Sequence, residues 1–210
     1  NLISPSKNLI EAIPAKAILT DVGSVKVPII NTWEKVHDLF IGSHPMAGTE
    51  KKGVNAGKIE LFDNSKWVIT PTNRTDQIAL KTLSKLFKNM GCDICFENPD
   101  IHDQAVANIS HLPIYLASCL IETAYCQNNE DLLNLSKKLA ASGFSDTSRV
   151  GAGNPSLGVD LAENNTINIL NSIKNFKKNI SEIEKIFEER NWDVLESKLK
   201  KGQEWRQHFC

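Results

Sequence analysis

Leu19-Thr20-Asp21-Val22-Gly23-Ser24-Val25-Lys26 and, one helical run later, Leu39-Phe40-Ile41-Gly42-Ser43-His44-Pro45-Met46-Ala47-Gly48-Thr49-Glu50 are the stretches whose reading decides the fold. Each starts as a short apolar run of strand type and ends in glycine, hydroxyl and charged residues. Ala17 to Thr20 reads as a buried strand, Ser24 to Val36 as a helix, Leu39 to Gly42 as the next strand, and Ser43 to Gly57 as a Gly-rich loop. Trp67 to Thr70 is a further strand stopped by Pro71, Thr75 or Asp76 caps a helix through Met90, and Cys92 to Phe96 is a last strand. Strands alternating with helices predict a mostly parallel α/β sheet whose ligands lie beyond the carboxyl ends of its strands.

After Pro99 the pattern is helical only. Ile101, Ala105, Ile109, Leu112, Leu116 and Leu120 recur at helical spacing, and Pro113 among them predicts a kink or break. Further helices are expected at Asp131 to Ser142, Asn165 to Arg190 and Trp192 to Gln207. The chain therefore divides into an α/β portion, 1–98, and an all-α portion, 99–210, whose long apolar stripes suggest a homodimer interface.

Composition narrows the function. The 210 residues are 41% hydrophobic and 23% charged, with 24 Lys plus Arg against 25 Asp plus Glu, so no strong field draws the chain to nucleic acid or an anionic membrane. An anionic ligand must be met by a few placed cations. The five cysteines, an odd number without a secretory leader, point to a reduced, cytoplasmic setting. No apolar run was expected to reach membrane-spanning length, because His111, Pro113, Ser118 and Glu122 interrupt the best candidate. Cys92 and Cys95 have half the spacing of a zinc site, but no second pair follows and no metal is expected.

Four segments carry polar groups where chemistry could occur. In Asp21 to Lys26, Gly23 lets the backbone approach a ligand, while Ser24 either caps the next helix or donates to a substrate. His44 follows a strand end, and a near-neutral imidazole suits proton transfer; a structural histidine is the competing reading. His102-Asp103 and His111 lie on the kinked helix, where capping or a satisfied core histidine competes with function. Arg149, in Asp146-Thr147-Ser148-Arg149-Val150-Gly151, suits a carboxylate clamp, against a plain helix-end ion pair.

In this order the segments resemble the prephenate/arogenate dehydrogenase family. The resemblance runs from Leu19–Lys26 and Gly42–Glu50 through Thr70-Pro71-Thr72, His102-Asp103 and Ile109-Ser110-His111-Leu112-Pro113 to Gly143–Arg149 and Gly153-Asn154-Pro155. It implies the carboxyl-terminal half of a Rossmann-like nucleotide-binding domain followed by a helical 6-phosphogluconate-dehydrogenase-like dimerisation domain. Family members transfer hydride from a cyclohexadienyl alcohol to a nicotinamide cofactor, and the ring carboxylate leaves as carbon dioxide. The resemblance implies that His44 takes the ring hydroxyl proton and that Ser24 orients His44 or the nicotinamide. It places Asp21, Gly23 and Pro71 with Ser24 on the cofactor side. Thr49 and Glu50 would line the entrance, Arg149 would hold a substrate carboxylate with Asp146 in support, and His111 would lie on the substrate side.

Many prephenate-using relatives carry a histidine where this chain has Ile114, which with the Asp-Thr-Ser-Arg-Val segment is closer to cyanobacterial arogenate dehydrogenases and to NADP, with NAD the other possibility. No Gly-x-Gly-x-x-Gly turn precedes the first strand, and the chain opens at Asn1 with Met46 its first methionine. A processed or truncated chain with weak NADP binding and slow or no turnover is expected from this. The competing functions are another 6-phosphogluconate-dehydrogenase-like hydroxy-acid oxidoreductase and a non-catalytic helical dimerisation fragment.

Overall fold

The computed structural model describes residues 2–48 and 57–209. Helix α1 (Lys7–Ala12) precedes β1 (Leu19–Thr20), α2 (Val27–Trp33), β2 (Phe40–Pro45), β3 (Lys66–Thr70), α3 (Gln77–Asn89) and β4 (Asp93–Phe96). The four strands form one sheet in the order β1-β2-β3-β4. The β1/β2 and β3/β4 pairs are parallel, with Leu19 opposite Phe40 and Trp67 opposite Ile94, but β2 and β3 run antiparallel, with His44 opposite Val68. A parallel pair needs a crossover; between β2 and β3 the described residues hold only a short 3-10 turn, Ile59–Phe62, so the chain doubles back. Strand β2 also runs past the expected Gly42, which puts His44 inside the ladder rather than in a loop.

Apolar packing holds both faces. Ile41, Trp67 and Ile69 meet Ala79, Leu83 and Phe87 of α3, and Trp67 stacks on Phe87 with ring centroids 3.8 Å apart. Helix α3 starts where Asp76 accepts from the backbone N–H groups of Ile78 and Ala79, and it buries one residue per turn at the four-residue spacing of a single face. Ile29, Ile30 and Trp33 of α2 pack with Phe40 in a second cluster.

The helical portion opens with α4 (Pro99–Val106), capped by Asn98, and α5 (Leu112–Tyr125), joined by a π-helical segment, Ala107–His111. The expected break at Pro113 takes this form. Proline has no N–H and its ring collides with the carbonyl four residues back, so the turn ahead of it widens and Leu112 N donates to Ala107 O. Contrary to expectation, Pro99–Tyr125 is a 27-residue helical stretch long and apolar enough, by length and composition, to cross a membrane. Its His102, Asp103 and His111 are nonetheless buried among other parts of the protein.

Then come α6 (Glu130–Leu139), α7 (Ser142–Ser148), a 3-10 turn Arg149–Ala152, and α8 (Pro155–Asn164). Gly151 presses that turn onto α5, where a Cβ would sit 2.6 Å from Ser118 N and 2.7 Å from Ala117 C. Tyr115 Oη donates to Gly158 O at 2.8 Å and ties α8 to α5.

The chain forms two compact units, residues 1–169 and 170–210. The second comprises most of α9 (Thr166–Glu188) and all of α10 (Trp192–Arg206). Phe187 and Trp192 meet edge to face at their junction, and Lys198 pairs with Glu182 at 2.8 Å between the two helices.

Candidate active site

Beyond β1 the chain turns at Asp21, which is 5% exposed. One carboxylate oxygen accepts from Ser43 N at 3.0 Å, and the other accepts from Gly23 N at 2.8 Å and pairs with the Lys26 ammonium. Lys26 is 0% exposed and donates also to Ser43 O at 2.6 Å. Burial pulls its pKa below the ordinary lysine range, while Asp21 and then Asp103 act in the opposite direction. Ser43 Oγ donates to Asp21 O at 2.7 Å and accepts from Trp67 Nε1 at 3.0 Å. The residue that follows, His44, is therefore carried by a strand fixed on both sides.

His44 Nδ1 lies 2.9 Å from His102 Nε2 with the two rings nearly perpendicular, and His102 Nδ1 lies 2.7 Å from Asp103 Oδ1. All three residues are buried. Burial lowers the His44 pKa to about 3, assisted by His102, Lys26 and His111 and opposed by Asp103, so its ring is neutral at physiological pH. Asp103 also closes the start of α2, whose cap residue Lys26 makes no side-chain capping bond: Lys26 N donates to Oδ1 at 2.7 Å and Val27 N to Oδ2 at 2.9 Å. Asn165 Nδ2 donates to Asp103 O at 2.8 Å and lies 3.3 Å from His111 Nδ1. His111 is 1% exposed, burial lowers its pKa to about 4, and its Nε2 has no hydrogen-bond partner among the described residues.

The expected site residues separate into distinct groups. His44, His102, Asp103, Lys26, Asp21 and His111 lie around one polar core. Asp21, expected on the cofactor side, has both oxygens engaged by the protein itself. Gly23 makes its close approach to Ile29, where a Cβ would stand 2.5 Å from Cδ1. Ser24 neither caps α2 nor hydrogen-bonds His44 among the described residues; His102 does the latter. Ser24 and Gly23 line a cleft of about 590 Å³ together with Leu157, Asp160 and Asn164 of α8. Pro71 follows β3 and is half-buried. Arg149 and Asp146 are exposed, and Arg149 lines a different groove with Ile121, Phe144 and Ser148, so one chain does not bring it beside His44 in that groove. Thr49 and Glu50 lie outside the described residues.

His102 and Asp103 stood among the candidate segments with capping or pairing as the competing reading, while Lys26 and Asn165 had no expected role. A His-Asp pair heading an apolar helix and a lysine between two valines were the available signals.

Residues 3–96 match the family model described as prephenate dehydrogenase, nucleotide-binding domain, and residues 98–201 the model described as prephenate dehydrogenase, dimerization domain. A prephenate dehydrogenase of Bacillus subtilis is 31% identical over 90% of this chain, which spans only 51% of that protein's length. The crystal structure of Synechocystis arogenate dehydrogenase superposes with a TM-score of 0.83 at 36% identity, covering 97% of this chain and 73% of the other. That of the Aquifex aeolicus prephenate dehydrogenase in complex with hydroxyphenyl propionate and NAD+ gives 0.89 at 28% identity, covering 97% and 71%.

Proposed function

Because the chain belongs to the prephenate/arogenate dehydrogenase family, we propose that it serves an oxidoreductase that oxidatively decarboxylates arogenate, or prephenate, with NADP in preference to NAD. The observation that carries this reading is a neutral, buried His44 held by a second histidine at the end of β2.

The Ser24 side of the site fits the nicotinamide end of such a cofactor. The cleft offers a hydroxyl and the Gly23 backbone, but its charged lining is acidic, Asp160 and Glu163, which suits the cationic nicotinamide ring and its ribose rather than a pyrophosphate. A bound nicotinamide would supply the acceptor for a hydride from the substrate carbinol carbon. His44 takes the hydroxyl proton as that carbon is oxidised. The bond to the ring carboxylate then breaks, carbon dioxide leaves, its bonding pair completes the aromatic ring, and the carbonyl oxygen, now a phenolate, takes the proton back from His44. Arg149, which one chain does not bring beside His44, would reach a substrate carboxylate from the second copy of the proposed homodimer, and its exposure leaves the guanidinium available for that contact.

We also place the division between the two portions at 98/99, and assign the chain to the cytoplasm and to a homodimer built through the helical portion. The groove lined by Ile121, Tyr125, Leu133, Leu139 and Phe144 supports the dimer. His44→Asn tests the chemistry: kcat for arogenate should fall roughly 10²–10⁴-fold while substrate binding persists. Unchanged turnover would remove His44 from the reaction.

A further inference from the structure

The Asp103 carboxylate already accepts backbone N–H groups at both oxygens, from Lys26 at 2.7 Å and Val27 at 2.9 Å. It is thus an acceptor throughout, and the 2.7 Å contact with His102 Nδ1 places the proton on the histidine. A neutral imidazole with its proton on Nδ1 has a lone pair on Nε2. With the His102 ring neutral, that lone pair faces His44 Nδ1 at 2.9 Å and this second contact fixes the His44 proton on Nδ1.

We infer that His102 and Asp103 are positioning residues that lock the tautomer of His44 and leave its Nε2 bare as the proton acceptor. The geometry stands alone; its catalytic purpose rests on the dehydrogenase reading. When the substrate O–H bond breaks, the new N–H bond forms at His44 Nε2 while Nδ1 keeps its own proton. The resulting imidazolium already points that proton at a lone pair backed by a carboxylate, so no dipole has to reorient as the charge develops. The same carboxylate fastens this row to the first turn of α2. The angle of the His44 ring is set by the helical portion, although His44 itself belongs to the sheet.

The test reads the ring nitrogens of His44 by long-range proton–nitrogen NMR at neutral pH, alongside turnover, in wild type, His102→Gln and His102→Leu. Wild type shows Nδ1 protonated and Nε2 bare. Glutamine can accept from His44 and donate to Asp103, so H102Q keeps that tautomer and retains kcat within about tenfold. Leucine can do neither; H102L shifts the proton toward Nε2 and lowers kcat by roughly 10²–10⁴-fold, with KM little altered. A wild-type His44 protonated on Nε2, or H102L with unchanged tautomer and kcat, overturns the inference. A locked tautomer in wild type with turnover unchanged in His44→Asn upholds the positioning and rejects the function instead.

Discussion

Replacing Asp21 by Asn should destabilise the protein more than replacing Lys26 by Met, by a margin above about 1 kcal/mol. The two side chains are 2% and 0% exposed, so neither charge can turn to water in place. With Asn at position 21 the ammonium keeps the Ser43 carbonyl at 2.6 Å but loses its paired counter-charge, leaving only the weaker influence of Asp103. The carboxamide nitrogen must also face a backbone donor, Ser43 N or Gly23 N. An uncompensated buried charge costs about 3–5 kcal/mol, and an unsatisfied donor adds about 1–3 kcal/mol. With Met at position 26 the carboxylate keeps both backbone donors, at 3.0 and 2.8 Å, and the new side chain fills the stem's space. The expected cost there is roughly 1–3 kcal/mol. The double variant removes both charges, so the two effects should couple by about 1.5–3 kcal/mol. Urea unfolding of the four proteins at neutral pH measures this, with a constant m value as the control for two-state behaviour. The pH dependence has a definite sign. Lys26 in the folded D21N protein titrates below its unfolded value of about 10.4, the unfolded chain binds more protons in that interval, and stability must rise as the pH climbs through it. Equal costs, a reversed order or additive effects would show that the ammonium reaches solvent and that the buried pair does not brace β2.

Acid should destabilise the fold through its histidines. His44 and His111 titrate at about 3 and about 4 in the folded protein, against about 6.5 when unfolded, so the unfolded chain takes up protons first and stability falls from about pH 6.5 toward 3. Of the groups facing His44, namely His102, Lys26, His111 and Asp103, only Asp103 favours its charged form. Thermal melts across that range that stay level would refute the neutral-ring reading. Arg149→Ala should raise KM roughly 10–100-fold with little change in kcat, the loss of a charge-assisted bond worth about 1.5–3 kcal/mol; an unaltered KM removes the clamp. Gly151→Ala should cost about 1–3 kcal/mol, because its methyl meets Ala117 and Ser118 backbone atoms, and a neutral melt would mean that the turn lifts freely from α5.

The strands and α3 were legible because their signals are local. The apolar runs at Leu19, Phe40-Ile41 and Trp67–Ile69 become strands, and Asp76 caps the helix that follows. The direction of β3 was not legible, since it depends on the route of a long connection. Pro45 and Met46 fall in the stretch expected to be a Gly-rich loop, yet Met46 N donates to Lys66 O at 2.8 Å and extends the pairing. Asn154-Pro155 carries a helix-start signal, a capping Asn before Pro, and Asn154 does cap α8 by accepting from Ser156 N. At the site, His44 could be found from its setting after an apolar run. Its partnership with His102 could not, because residues 58 positions apart meet only through tertiary packing. Asp103 was hidden for a similar reason: it caps a helix start 76 and 77 positions earlier in the chain.

The widened turn at Ala107–His111 fixes the rotational phase between α4 and α5. Each residue of an α-helix advances the winding by about 100°, so removing one residue there would swing every side chain of α5 around its axis. Ala117 would turn away from Gly151 and Tyr115 from Gly158, while His102 and Asp103, upstream of the change, would stay where they are. Substitutions along this segment should therefore be tolerated far better than a change in its length.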